Sequence, residues 1–302
     1  MAKLFYLIVT LLWIFQSCKP RAKDYYNNGW DIMFKDYEKA LIDFNKAIEI
    51  DSLYEDAYVA RGLLKEIIED HEGALFDFNK AIKINPQKGE IYTKRGNVRS
   101  KLKDYKGAIE DFNNAILLDP NDAEPYLGRG TTKGEIKDQE GAIIDFNKAI
   151  VLDPKNSKPY VGRGISRLRM GDNQGSLDDF NKAIEMNPNE SRAYYNRGGV
   201  KIKLQDYQGS IADCTKAIEI DPIYVDAYIT RAMTKDFLKD YWGAVDDFSE
   251  AIKQSPKYAI AYYYRGLSKL SIAQKASGCA DFKKSYDLGY VKAIDAINEY
   301  CN

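Results

Sequence analysis

The sequence predicts an all-α solenoid, and three observations carry that reading. Moving along the 302-residue chain in steps of 34 meets Gly62, Gly96, Gly130, Gly164, Gly198 and Gly266, with Ala232 the only replacement. The same step joins Ala81, Ala115, Ala149, Ala183, Ala217 and Ala251, and it also joins Pro86, Pro120, Pro154, Pro188, Pro222 and Pro256. Between these landmarks the apolar residues recur at helical spacing. A fixed period of this length marks stacked supersecondary units, each leaving an apolar face for its neighbour to cover.

Residues 89 to 122 show one unit in full. Tyr92, Arg95, Gly96 and Arg99 fall at i, i+3, i+4 and i+7, followed by Leu102 and a break at Lys103-Asp104, so a helix is expected over 90–102. Ala108, Ile109, Phe112, Ala115, Ile116 and Leu118 make a second stripe, over 105–118. Asp119-Pro120 ends it, because proline offers no N–H and clashes with the turn before it. Small residues at Gly96, Ala108 and Ala115 suit the close approach of two helices, and Tyr92 and Phe112 fill the gaps beside them.

These residues carry a resemblance. Tyr92, Gly96, Ala108, Phe112, Ala115 and Pro120, spaced 4, 12, 4, 3 and 5 apart, resemble the tetratricopeptide repeat signature. Arg95 stands where that signature usually has Leu, and Arg99 where it has Tyr; both departures recur through the chain and describe a subtype. Copies begin near 22, 55, 89, 123, 157, 191, 225 and 259. The first is one residue short, with Tyr25, Gly29, Ala40, Phe44 and Ala47 in register. The resemblance implies a right-handed superhelical solenoid of eight tetratricopeptide hairpins plus a C-terminal capping helix. Seven repeats then occupy 22–258, and the eighth repeat with its cap occupies 259–302.

Ahead of the repeats, Lys3 precedes an apolar run from Leu4 to Phe15, which ends in Gln16-Ser17-Cys18. That run is too short to span a bilayer as a helix and suits the core of a secretory signal. Residues 1–17 resemble a bacterial lipoprotein signal peptide, in which the cysteine, here Cys18, becomes the lipidated first residue; 18–21 is then a tether. Ser17 fits the position before the cut, while Phe15 departs from the Leu expected three places upstream. An ordinary cleaved signal and an uncleaved anchor are the competing readings.

After the last repeat's first helix the pattern changes. Ser277 to Leu288 still reads as a second helix, with Cys279, Phe282 and Tyr286 on one stripe, but Gly289 replaces the Asp-Pro exit. Tyr290, Ile294, Ile297 and Cys301 then form another apolar stripe, as expected of the helix that covers a solenoid's last face. The turn at 289–290 lies midway between Cys279 and Cys301, so a hairpin brings them together and, in an oxidising compartment, predicts a disulfide.

Charge follows the repeat. Arg61, Arg95, Arg129, Arg163, Arg197, Arg231 and Arg265 each precede the small residue of the first helix, and Asp43, Asp77, Asp111, Asp145, Asp179, Asp213, Asp247 and Asp281 each precede the second helix's phenylalanine position. Both lie beside the packing stripes, which predicts Arg–Asp pairs within or between hairpins. A charge buried without its partner costs several kcal/mol, so Asp145→Ala is expected to destabilise more than Asp122→Ala.

Composition excludes several functions. Lys plus Arg is 44 against 45 Asp plus Glu, and loss of Lys3 with the leader leaves the remainder near −2. Such a balance argues against nucleic acid. His71, the single histidine, sits where other copies have Tyr105, Tyr207 and Tyr241, at the start of a second helix. With one histidine, no short-spaced cysteine pair and no phosphate-cradling loop, the sequence offers no catalytic site, no metal site and no cofactor. Cys214 takes a phenylalanine's place and is expected to be buried and inert.

What remains is binding. The family resemblance implies a protein or peptide partner held on a concave face lined by the first helices, and for a lipoprotein a role in assembling cell-envelope machinery, on the periplasmic or surface side. A glycan- or small-molecule-binding component is the alternative. In the family's geometry the second, fifth, ninth, twelfth and thirteenth positions point into the groove. Copies three and four place Glu90, Thr93, Asn97, Ser100, Lys101, Glu124, Leu127, Thr131, Gly134 and Glu135 there. Later copies turn apolar, and Tyr195, Ile229, Met233, Phe237, Tyr263 and Leu267 are the expected partner-binding anchors. The chaperone-tail clamp of some relatives needs Lys and Asn at set positions; Thr93 with Asn97, and Tyr195 with Gly199, do not supply it.

Overall fold

The computed structural model describes residues 21–301. The expected signal peptide, Cys18 and the tether up to residue 20 lie outside them. Among the described residues there are seventeen helices and no strand. The chain divides into two compact units, the first ending at Lys137 and the second starting at Asp138. The first holds α1 (Ala22–Ile32), α2 (Tyr37–Ile50), α3 (Glu55–Ile67), α4 (His71–Ile84), α5 (Gly89–Lys101), α6 (Tyr105–Leu118) and α7 (Glu124–Glu135). The second holds α8 (Gln139–Leu152), α9 (Lys158–Arg169), α10 (Asn173–Met186), α11 (Ser191–Lys203), α12 (Tyr207–Ile220), α13 (Val225–Phe237), α14 (Tyr241–Gln254), α15 (Ala259–Ser271), α16 (Lys275–Asp287) and α17 (Ala293–Tyr300). Within the units, α1 pairs with α2, α3 with α4, α5 with α6, α9 with α10, α11 with α12, α13 with α14 and α15 with α16, the odd-numbered helix coming first in each hairpin.

Most of the hairpins share one turn, from which α1–α2 departs by having no left-handed residue and α15–α16 by lacking a side-chain cap on its second helix. At the end of α5 the Lys103 N–H donates to the Ser100 carbonyl (3.0 Å) and the Asp104 N–H to the Arg99 carbonyl (2.9 Å), which forces Lys103 to φ 63°. Asp104 then caps α6, its carboxylate accepting the Gly107 N–H at 3.0 Å, a bond of the kind that contributes about 1 kcal/mol. A Cβ on Gly107 would lie 2.2 Å from that carboxylate, which accounts for the Asp-x-x-Gly spacing. Asp70, Asp138, Asp172, Asp206 and Asp240 repeat the cap.

Inside the hairpins, Phe44, Phe78, Phe112, Phe180, Phe248 and Phe282 are fully buried, each contributing up to about 3 kcal/mol of burial free energy. The small residue opposite is a necessity of spacing. A Cβ on Gly96 would come within 2.9 Å of the Phe112 ring, and one on Gly62 within 2.8 Å of Phe78. Cys214 replaces this phenylalanine in α12; it is free and buried, and burial pushes its thiol up to about 12.

The expected Arg–Asp pairs are present and reach further than the sequence suggested. Arg95 donates through Nε and Nη2 to Asp111 (2.9 and 2.5 Å) and through Nη1 to Asn79 of the preceding hairpin (2.7 Å). Its guanidinium also lies 5.5 Å from the Tyr92 ring. A second cation, Arg99, donates to the same carboxylate at 3.0 Å. Arg61, Arg163, Arg197, Arg231 and Arg265 bind Asp77, Asp179, Asp213, Asp247 and Asp281 likewise. The backward link runs from Arg197 to Asn181, from Arg231 to Thr215 and from Arg265 to Ser249. In α1 the arginine is absent, and Asn28 donates to Asp43 instead. A carboxylate as deep as that of Asp111 is tolerated because both of its oxygens accept from cationic side chains.

The end cap differs from its sequence reading in one respect. In α17 the buried side chains are Ala293 and Ala296, whereas Ile294 is 37% exposed and Tyr286 of α16 is 44% exposed. The alanines win because α17 lies close against its neighbours, where a longer side chain does not fit. Tyr263, Phe282 and Tyr290 pack around them, with ring centroids 5.0 to 5.8 Å apart. Cys279 and Cys301 are bonded, their Cα atoms 5.7 Å apart.

Candidate binding face

In the first unit the expected groove positions do gather. Glu66, Asn97, Ser100, Lys101, Thr131 and Glu135 line a cleft of about 480 Å³, together with Glu124, Leu127 and Tyr105. Lys101 pairs with Glu66 at 2.5 Å across the cleft, and the Thr132 hydroxyl donates to Ser100 at 3.0 Å beside it. Glu90 does not line the cleft, Gly134 is buried, and the two position-five residues part company, Leu127 lining the cleft and Thr93 being 6% exposed.

The second unit separates the six expected anchors. Met233 is 43% and Phe237 64% exposed, at positions nine and thirteen of α13, and the Phe237 ring lies 4.6 Å from that of Tyr207. Tyr195 and Leu267 are half-buried. The Tyr195 ring lies tilted against that of Tyr224 with centroids 5.0 Å apart, and burial raises its hydroxyl above the usual tyrosine range. Ile229 is a correction: at 7% exposure it belongs to the core with Ala232, Phe248 and Ala261. Ile229 packs toward the next hairpin's first helix, where Ala261 belongs to the same core, whereas Tyr195 at the same position of α11 stays half-buried. Tyr263 is half-buried as well, its ring lying against those of Phe282 and Tyr290.

Two features of α9 and α11 escaped the sequence reading. Together they hold eight basic residues and no acidic one. Arg163, Arg167, Arg197 and Lys201 are held by Asp179 and Asp213. Lys158, Arg192 and Lys203 are exposed. Lys158 and Arg192 stand in the first turn of their helices, at the positive end of the helix dipole, a placement that costs roughly 0.3–1 kcal/mol each. In α3, α5, α7 and α13 that turn is acidic, with Glu55 and Asp56, Glu90, Glu124 and Asp226, while in α15 it carries no charge. The second feature is Gly199, at position nine of α11, where a Cβ would meet nothing within 4 Å. Glycine there costs about 1 kcal/mol relative to alanine and no close packing demands it. A search for acidic first turns and for mid-helix glycines off the 34-residue step would have found both.

Other chemistry is sparse. His71 opens α4. Among the described residues no three His, Cys, Asp or Glu side chains gather as metal ligands would.

Comparison with known proteins agrees with this geometry. Models described as tetratricopeptide repeat match residues 55–88, 89–122 and 161–222. Among curated proteins nothing matches. Among solved structures, a chain of the APC/C hetero-tetramer Cut9-Hcn1 superposes with a TM-score of 0.70 at 16% identity, over 90% of this chain and 54% of that one. This protein thus spans about half that chain's length. A tetratricopeptide repeat protein from Parabacteroides merdae ATCC 43184 gives 0.60 at 19% identity, over 82% of this chain and 99% of that one. YrrB, described as a tetratricopeptide protein with an unusual peptide-binding site, gives 0.51 at 22% identity, over 62% and 97%. At these identities the likeness concerns the fold. Residues 55–122 and 161–222 thus carry tetratricopeptide repeats, and the described residues form all-helical hairpins of the same fold.

Proposed function

We propose that this protein is an exported, non-enzymatic scaffold that holds a protein or peptide partner against the face lined by its odd-numbered helices. In this reading Cys18 carries lipid, the chain is tethered to a bacterial cell envelope, and the scaffold serves assembly there. The observation that carries the binding role is the exposure of Met233 and Phe237 one turn apart on α13. Solvent-facing aromatic and flexible apolar side chains on a repeat surface are where interface energy concentrates. The peptide-binding site described for YrrB supports it by analogy of fold.

The test uses the full chain, immobilised, and detergent-solubilised envelope from the native source. A stoichiometric protein partner is expected, and Met233→Ser with Phe237→Ser should weaken its binding at least tenfold while leaving the helical circular dichroism unchanged. Equal retention by the double variant would place the site elsewhere. For the anchor, Cys18→Ser should move the protein from the membrane fraction to the soluble one, and a diacylglycerol-sized mass on the mature N-terminus should disappear with it.

A second reading rests on the first unit's cleft, where Asn97, Ser100, Thr131 and Lys101 converge beside the Tyr105 ring. Hydroxyl, amide and aromatic groups together suit a glycan. Glycan retention that Asn97→Ala abolishes, with no protein partner recovered, would favour it.

A further inference from the structure

The stretch formed by α9, α11 and α13 has a chemistry that narrows the partner, and the argument rests on the scaffold reading above. Positions two, nine and thirteen line the open cleft of the first unit, as Glu124, Thr131 and Glu135 do in α7. In the second unit the same positions carry Lys158 and Ile165 in α9, Arg192, Gly199 and Lys203 in α11, and Met233 in α13.

Three facts converge there. First, Lys158, Arg192 and Lys203 are exposed cations on two successive helices that contain no acidic residue, the nearest carboxylates in the chain being Glu190 before Arg192 and Asp206 after Lys203. Their neighbours Arg163, Arg167, Arg197 and Lys201 have Asp179 and Asp213; these three have no carboxylate in contact among the described residues. Second, two of the three occupy helix first turns, where basic side chains oppose the dipole and an incoming carboxylate is favoured by both. Third, Gly199 leaves open space at the matching position between Ile165 and Met233, so the surface there is notched. Tyr195 and Ile202, both half-buried, lie on the same helix beside it.

We propose that α9, α11 and α13 hold an acidic peptide segment whose carboxylates meet Lys158, Arg192 and Lys203 and whose one apolar side chain enters the notch at Gly199. The exposed Asp226 at the start of α13 sets the limit of the basic stretch and disfavours extension of the acidic segment past it. The notch supplies shape selection, and the three cations supply the sign of the partner and a strong dependence on salt.

The probes are two fluorescein-labelled peptides of about twelve residues, each with a central leucine, one flanked by glutamates and one by lysines. Fluorescence anisotropy with the full chain at low salt is expected to show the glutamate peptide binding at least tenfold tighter, with affinity falling as salt rises. Gly199→Leu should weaken it at least tenfold while the melting temperature stays level or rises, because nothing within 4 Å opposes the side chain. Arg192→Glu with Lys203→Glu should abolish the preference for glutamate. Equal affinity for the two peptides overturns the proposal, as does undiminished binding by Gly199→Leu. Should Gly199→Leu fail to fold, Gly199→Met, which fills the notch with a flexible chain, decides by the same criterion. If an envelope partner is retained through Met233 and Phe237 but Gly199→Leu and the charge reversals leave it unaffected, the scaffold reading stands and this one falls.

Discussion

The two units share one scaffold and present opposite faces. Beneath the surface, Arg95 with Asp111 in the first and Arg163 with Asp179 in the second make the same bidentate pair, helped by Arg99 and Arg167 at the same position. On the surface, position two carries Glu90 and Glu124 in the first unit but Lys158 and Arg192 in the second, and position nine carries Asn97 and Thr131 in the first but the open notch at Gly199 in the second. The lesson is that packing and recognition use separate positions of the same 34 residues. The positions that pack inside a hairpin, such as those of Gly96 and Phe112, are held to nearly one residue type by geometry. One step around the helix no neighbour touches the side chain, and its chemistry is free to change from copy to copy.

The sharpest way to break that comparison is to remove the shared part. Asp111→Ala and Asp179→Ala each strand two cations in a buried site, and each should cost about 3–5 kcal/mol, measured by urea denaturation of the full chain. Unequal losses would mean that the units are not built alike. Asp122 is a poor control, because its carboxylate accepts the Glu124 N–H at 3.0 Å and starts α7. Asp178, exposed on α10, is the better one, and Asp178→Ala should change stability by no more than about 0.5 kcal/mol.

Next in size is a feature the first unit lacks among its described residues. Reduction of Cys279–Cys301 releases a closed loop of 22 residues, and on chain-entropy grounds should cost about 3 kcal/mol. The loss should appear in the transition that exposes the Phe282 and Tyr263 rings, followed by near-ultraviolet circular dichroism with and without reductant. An unchanged transition in reductant would show that α17 holds by packing alone.

The smallest effect sharpens the comparison at the hairpin turn. Lys103 in the first unit and Gly171 in the second occupy the same left-handed position, at φ 63° and 88°. Lys103→Gly should stabilise by up to about 1 kcal/mol and Gly171→Ala should destabilise by a similar amount. Opposite shifts in thermal midpoint are expected; shifts of the same sign would mean that side-chain contacts, and not backbone strain, decide the turn.

Much of the fold was legible because it was written many times. The helix expected over 105–118 is found there, and the one expected over 90–102 is found one residue earlier. Arg–Asp pairing followed from spacing alone. The third arm of the fork, from Arg95 to Asn79, was not legible, since asparagine, threonine and serine all serve and no single letter repeats. The candidate site was less readable. Periodicity assigns Ile229 and Met233 to the same side of α13, but only the placement of the following hairpin shows that Ile229 is covered and Met233 is not. Gly199 looked like a minor absence in a clamp pattern, and its meaning depends on the empty space above it.

Each arginine of the ladder reaches forward 16 residues to an aspartate and back 16 residues to an acceptor in the preceding hairpin. The link is therefore indifferent to which copy supplies the acceptor. Excision of residues 191–224 would bring Arg231 to Asn181 in place of Thr215, the same partner that Arg197 uses now. A coding sequence for such a protein can lose or duplicate whole copies and still close every rung, so its reach along a partner is free to evolve in increments of one hairpin without a new core being found each time.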